Sequence, residues 1–274
     1  MSAIEISFEP GSLVPVTALS AALAELPTVG LTVLQQSADL QVRHDRKYVL
    51  PAAVVSAAIK TRRNDVCVLD IDSKQAFAYE SVYFDTPAFD SYRSSAHGRR
   101  RRFKVRTRSY LDSGECVLEL KLLGSRGETV KRRLAYHLGG RQQLTGDGQA
   151  YLECNGLPPA IIDMLLPTLT TTYDRSTLLD ADGSRYTIDV GLECIGPQGR
   201  RASAGENYIL ETKSASAATP LDRLLWSRGH RPVSISKYCT GLAAVTPGLS
   251  ANKWNRTLRN HYCWQPAGAG RAGS

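Results

Sequence analysis

The sequence predicts an α+β protein, mainly antiparallel β, whose strands close into a barrel with a charged, hydrated interior and helices packed outside. The first observation behind this is the run Arg99-Arg-Arg-Arg-Phe-Lys-Val-Arg-Thr-Arg-Ser-Tyr110, in which Arg100, Arg102, Lys104, Arg106 and Arg108 share one parity. In an extended strand successive side chains point to opposite faces, so these cations leave from one side while Phe103, Val105 and Thr107 leave from the other. The second is that charge alternating with apolar residues recurs in Cys116–Leu122, Tyr173–Thr177, Arg185–Glu193 and Tyr208–Lys213. One charged strand face can be solvated, but five such strands would leave the apolar faces too little cover, and closure around a charged interior resolves this.

The elements follow in order. Residues 1 to 40 are an apolar, small-residue lead-in with one helix over Val16 to Leu26 and no assigned chemistry. A strand runs from Gln41 to Leu50, and Pro51 opens a helix through Arg62. Ala78 to Asp85 is a second strand stopped by Pro87, followed by a short helix from Ala88 to Ser95. Leu111-Asp-Ser-Gly114 turns the basic strand back into Cys116–Leu122, a hairpin that brings Glu119 beside Arg106 and Arg108. Glu128 to His137 is the next strand, and residues 139 to 165 are mixed, with a short helix at Pro158 to Leu165. Asp180-Ala-Asp-Gly183 is a turn between strands Leu169–Leu179 and Ser184–Ile195. Gly196 to Gly205 reads as a loop, Tyr208 to Lys213 as a strand, and Leu221–Arg228 and Ser236–Val245 as helices. The main domain is thus expected over 41 to 246, followed by an extension over 247 to 274 whose end is expected to be disordered.

Composition narrows the function. A chain of 274 residues, 42% hydrophobic, can bury a large core, and its formal net charge of +8 favours an anionic partner. The six cysteines form no CxxC pair, which argues against a zinc site or disulfide framework and for a reducing, cytoplasmic compartment. No apolar run is long enough to span a membrane. With 7% aromatic residues, and Phe103 on the apolar parity, the strands lack a stacking platform for single-stranded nucleic acid.

Eight blocks then carry a family resemblance: Arg43-His-Asp-Arg-Lys47-Tyr48, Val82-Tyr-Phe-Asp-Thr86, Lys104-Val-Arg-Thr-Arg108, Leu118-Glu-Leu-Lys121, Tyr173-Asp-Arg175, Arg185-Tyr-Thr-Ile-Asp189, Leu210-Glu-Thr-Lys213 and Ser236-Lys237-Tyr238. Their order resembles the VTC domain, the polyphosphate polymerase domain of the vacuolar transporter chaperone complex and its bacterial relatives, over roughly 41 to 243. The resemblance implies the triphosphate tunnel metalloenzyme fold, an eight-stranded antiparallel tunnel barrel. It also implies transfer of the ATP γ-phosphate to polyphosphate, aided by manganese or magnesium. It implies that Lys47, Arg106, Arg108, Lys121, Arg175, Arg185 and Lys237 contact phosphate and that Glu211 holds the metal. A hard divalent ion takes only one or two protein carboxylates, so Glu211 with Glu119 nearby suffices, and strand parity adds Arg43, Lys104, Arg133 and Lys213 to the substrate site. Tunnel enzymes that hydrolyse triphosphates carry Glu-x-Glu-x-Lys on the first strand, whereas this chain has Arg43-x-Asp45-x-Lys47, which exchanges metal affinity for phosphate affinity. Ser234 stands where the eukaryotic polymerases have another lysine. Regulation and product translocation are expected to rest on a membrane-protein partner, without direct membrane insertion.

Other readings stay open on the residues themselves. Arg106 and Arg108 can be structural partners of Glu119 and Glu115, and Asp189 can orient Arg or Lys side chains. Arg132 and Arg133 have opposite parity, so only one faces inward, and Arg133 is taken as that one. Three functions are compatible with the pattern: ATP-dependent polyphosphate synthesis, hydrolysis of tripolyphosphate or a nucleoside triphosphate, and polyphosphate binding without turnover.

Overall fold

The computed structural model describes residues 16–37, 44–124, 129–215 and 218–262. The chain runs α1 (Val16–Ala24), β1 (Thr28–Val29), α2 (Leu31–Ser37), β2 (His44–Pro51), α3 (Ala52–Thr61), β3 (Val66–Leu69), β4 (Phe77–Asp85) and α4 (Asp90–Ala96). It continues through β5 (Phe103–Tyr110), β6 (Glu115–Leu123), β7 (Thr129–Tyr136), α5 (Gly146–Cys154), α6 (Pro159–Ile162), β8 (Leu166–Asp180), β9 (Arg185–Ile195) and β10 (Arg201–Ser203). Last come β11 (Asn207–Ser214), α7 (Pro220–Ser227), α8 (Lys237–Val245) and α9 (Asn255–His261).

Eight strands form one antiparallel path in the order β2-β11-β9-β8-β4-β5-β6-β7. No pairing joins β2 to β7 among the described residues, so the path is not closed by hydrogen bonds. Short strands extend it sideways: β1 pairs parallel with β3, β3 with β8, and β10 with β9. Two glycines make the hairpins possible, because Gly114 and Gly183 adopt φ of 72° and 79°, a region costly for residues with a Cβ.

The apolar parity builds two cores on the outer face. Tyr48, Leu50, Leu178, Tyr186, Ile188, Tyr208 and Leu210 pack beneath α1, α3 and α7, and Val82, Phe84, Val105, Leu118 and Leu120 pack beneath α5 and α6. The first is pinned by Asp222 of α7, which receives hydrogen bonds from Tyr48 Oη (2.7 Å) and Thr212 Oγ1 (2.8 Å) and completes a capping box with Thr219. Such a cap contributes about 1 kcal/mol. Helix α8 differs from the outer helices, because it packs against the charged parity. Tyr238 stacks on Tyr83, and Leu242 joins a third core with Val49, Leu169 and Ile209. Its approach requires Gly241, where an added Cβ would meet Cys194 Sγ at 2.6 Å.

Several expectations are corrected. Strand β5 begins at Phe103, so Arg100 and Arg102 precede it and do not share its ladder. The loop expected over 196 to 205 contains β10, which pairs Ala202 with Cys194. Helix α5 lies within the mixed stretch, where Thr145 caps it by accepting from the Gly148 N–H. Strand β3 and helix α9 add elements not expected from the pattern. Arg43 and the tail after 262 lie outside the described residues. Among the described residues the cysteines are free, and no helix is long and apolar enough to cross a membrane.

Candidate functional site

Residues opposite one another on paired strands share a face, so the register traces the charged side across the sheet. Lys47 faces Glu211, Lys213 faces Arg185, and Arg175 faces Asp189. Farther along, Tyr83 faces Arg106, Ser81 faces Arg108, and Lys104 faces Lys121. Glu119 lies between Arg106 and Arg133, and Lys121 between Lys104 and Lys131. Arg133 therefore faces the charged side, while Arg132 lies on the opposite parity, close enough to Tyr151 of α5 to act on its phenol.

Glu119 anchors one end of this face and is fully buried. Its Oε2 accepts from Arg106 Nε at 2.7 Å and from Arg106 Nη2, and its Oε1 accepts from Arg133 Nε at 2.9 Å, with Lys131 Nζ at 4.0 Å. Burial opposes its charge, but Arg106, Arg108, Lys121 and Arg133 outweigh burial and hold its carboxyl far below the usual range. One carboxylate cannot neutralise so many cations. Arg106 beside it, together with burial, pushes the Lys121 ammonium well below its ordinary value, and burial followed by Arg133 lowers Lys131 to about 8.

Tyr173 organises the centre. Arg108 Nη2 donates to its hydroxyl at 3.3 Å, while Arg175 and Lys237 sit over its ring at 5.3 and 4.5 Å. Burial would raise its phenol, but Arg108, Arg175 and Lys237 outweigh that and lower it. Asp189 accepts two bonds from Arg175, at 2.6 and 2.8 Å, and one from Lys237. Burial again opposes ionisation, yet Arg175 and Lys237 bring Asp189 down to about 2. Lys237 belongs to the first turn of α8, whose N-cap Ser236 accepts from Lys104 Nζ at 3.0 Å, so the positive end of a helix meets the same face.

At the other end Glu211 lies 3.1 Å from Lys47 and 2.8 Å from Lys213. These cations outweigh burial and hold it below the usual carboxylate range, while burial lowers Lys213 to about 8. Among the described residues no three His, Cys, Asp or Glu side chains converge as a metal cage. Glu119 and Glu211 each have both oxygens engaged by cations, and the two differ in access, Glu119 being fully buried and Glu211 partly exposed. Glu211, partly exposed and held by lysines alone, suits a hard divalent ion that shares its coordination with substrate phosphates, since magnesium commonly takes only one or two protein carboxylates.

Lys47, Arg106, Arg108, Lys121, Arg175, Arg185, Lys237, Lys104, Arg133 and Lys213 thus come to one face with Glu211 and Glu119. The pattern did not single out Lys131, although it shares the parity of Arg133, nor the tyrosine shelf of Tyr79, Tyr83 and Tyr173, where Tyr79 stacks on Tyr173 at 5.4 Å. The even spacing of Tyr79, Ser81 and Tyr83 was the available signal.

Residues 42–246 match the VTC domain. No curated protein matches the chain. Among solved structures, HpAC1 from Hippeastrum, described as having a dominant triphosphatase activity, is 15% identical with a TM-score of 0.47, covering 76% of this chain and 99% of that one. The PH1012 and PH1819 proteins of Pyrococcus horikoshii OT3 are 10% and 13% identical with TM-scores of 0.38, each covering 69% of this chain and 88% and 92% of their own.

Proposed function

This chain belongs to the VTC domain family, and we propose that it is a metal-assisted phosphotransferase that moves the γ-phosphoryl group of ATP onto the end of a polyphosphate chain lying along the basic face. The observation that carries this is the surplus of buried and half-buried cations on one face, where Arg106, Arg108, Lys121, Arg175, Arg185 and Lys213 outnumber Glu119, Asp189 and Glu211. Desolvation costs several kcal/mol per buried ion, so such a surplus is best balanced by a bound polyanion.

The reaction needs charge neutralisation and alignment more than covalent chemistry. A terminal polyphosphate oxygen attacks the γ-phosphorus, the bond to the β,γ-bridging oxygen breaks, and ADP leaves with that electron pair. The attacking oxygen is already ionised, so no general base is required. In this reading Arg106, Arg108 and Arg175 fork onto phosphate oxygens, and Lys47, Lys121, Arg185 and Lys237 add charge around them. Lys104, Arg133 and Lys213 hold phosphates farther along, and Arg43 is assigned with them. Glu119 and Asp189 keep the arginines extended, and Tyr173 supports three of the cations. Glu211 would hold manganese or magnesium, which when bound neutralises charge on the phosphoryl oxygens.

The test is turnover of ATP with Mn²⁺ by the wild type and by Arg106→Ala and Glu211→Ala. Polymer formation lost in both supports the reading. Polymer formation surviving both overturns it, and orthophosphate without polymer replaces it with a hydrolase.

A further inference from the structure

The basic run does not end where the strand ends. Arg99, Arg100 and Arg101 are exposed and precede β5 in an irregular segment after Gly98, whose φ of 66° turns the chain out of α4. Two backbone bonds fix the segment: the Arg99 N–H donates to Ser94 O at 2.9 Å, and the Leu123 N–H donates to Arg102 O at 3.1 Å. Among the described residues, the guanidinium groups of Arg99 to Arg102 make no hydrogen bond and no ion pair. From Arg93 to Lys104 the sequence contains no carboxylate.

A second cation meets this segment from another part of the chain. Lys253 donates to Ser95 O at 2.7 Å, and burial, then Arg102 and Lys104, lower its ammonium. Arg102 and Lys104 therefore both lie within electrostatic reach of Lys253, and Lys104 itself touches Ser236 at the start of α8. In sequence the exposed Arg99, Arg100 and Arg101 lead directly into Arg102 and on to Lys104, which reaches the charged face at Ser236.

We propose that Arg99, Arg100 and Arg101 form an external landing strip for the part of a polyphosphate chain that projects from the basic face, so that long chains bind more tightly than short ones. This rests on the function proposed above and adds chain-length preference to it. Phosphates of an extended chain carry regularly spaced charge, which matches a row of unpaired, exposed guanidinium groups better than a compact triphosphate does.

The experiment is equilibrium binding of the full chain to tripolyphosphate and to polyphosphate of about 100 units, at several salt concentrations, for the wild type and for the Arg99→Gln/Arg100→Gln/Arg101→Gln variant. The strip predicts that the variant keeps wild-type affinity for tripolyphosphate, loses about tenfold for the long chain, and shows a salt slope shallower by about two. An Arg99→Lys/Arg100→Lys/Arg101→Lys variant should keep most of the long-chain preference, and equal melting temperatures would show that both variants are folded. Long-chain affinity unchanged in the glutamine variant, or equal per-phosphate affinity of the wild type for both ligands, overturns the strip while leaving the interior site standing. A wild type that binds neither ligand overturns the strip and the proposed function together. Binding of RNA in preference to polyphosphate, abolished by the same substitutions, also overturns the assignment.

Discussion

Replacing Glu119 by glutamine keeps the shape of a fully buried side chain and removes its charge. The carboxylate receives Arg106 Nε at 2.7 Å and Arg133 Nε at 2.9 Å, with Lys131 at 4.0 Å, and it is the acid that lies between Arg106 and Arg133 across the three strands. Glutamine can still accept a bond from Arg106, but it turns its amide donors toward cations and leaves the Arg106 charge without a counter-ion. Breaking a buried pair by removing one partner costs roughly 3–5 kcal/mol. For a chain of this size, where each kcal/mol moves the melting temperature by about 2–4 °C, Glu119→Gln should melt roughly 6–20 °C below the wild type at pH 7. A polyanion supplies the missing charge, so tripolyphosphate at ~100 times its dissociation constant should restore about 2.7 kcal/mol. The assay is thermal unfolding followed by circular dichroism with and without ligand. A variant within about 2 °C of the wild type without ligand would refute the view that Glu119 neutralises this cluster.

Arg108→Gln should behave oppositely, because Arg108 Nε is buried without a partner and its charge depresses Lys121; unliganded stability should hold or rise while tripolyphosphate affinity falls about tenfold or more, read by melting and calorimetry. Lys213 and Lys131 have depressed folded values of about 8, so the unfolded chain binds more protons between there and the ordinary lysine value, and stability should rise as pH increases through that window. Urea midpoints measured from pH 7 to 10 would show it, and a flat profile would contradict it. Glu211→Gln should abolish metal-dependent turnover yet strengthen metal-free polyphosphate binding, since it releases Lys47 and Lys213; weaker metal-free binding would contradict its assignment.

Much of the strand plan was legible because the pleat has a period of two, and charge alternates with apolar residues wherever one face meets a core. This is why Arg106, Glu119 and Arg133, from three strands, could be placed on one side from parity alone. Alternation could not say where a strand stops, so Arg100 and Arg102 looked like part of the ladder although the chain leaves it at Phe103. Nor could it say which cation meets which carboxylate. Arg108 faces Val117 across the hairpin and turns to Tyr173, a residue far away in sequence and brought near only by the bulged pairing of β8. The inward packing of α8 was equally hidden, because it depends on the close approach at Gly241 and on the Tyr238 hydroxyl bonding to buried Asp85. Strand β3, only four residues long, is held by its partners β1 and β8 more than by any pattern of its own.

The most direct test of the central claim is ³¹P NMR of the purified protein with ATP and Mn²⁺, with and without a short polyphosphate primer. The account predicts growth of the internal-phosphate resonance with stoichiometric release of ADP, faster when primer is present. Orthophosphate as the sole product, or an unchanged ATP spectrum from folded protein, would contradict it.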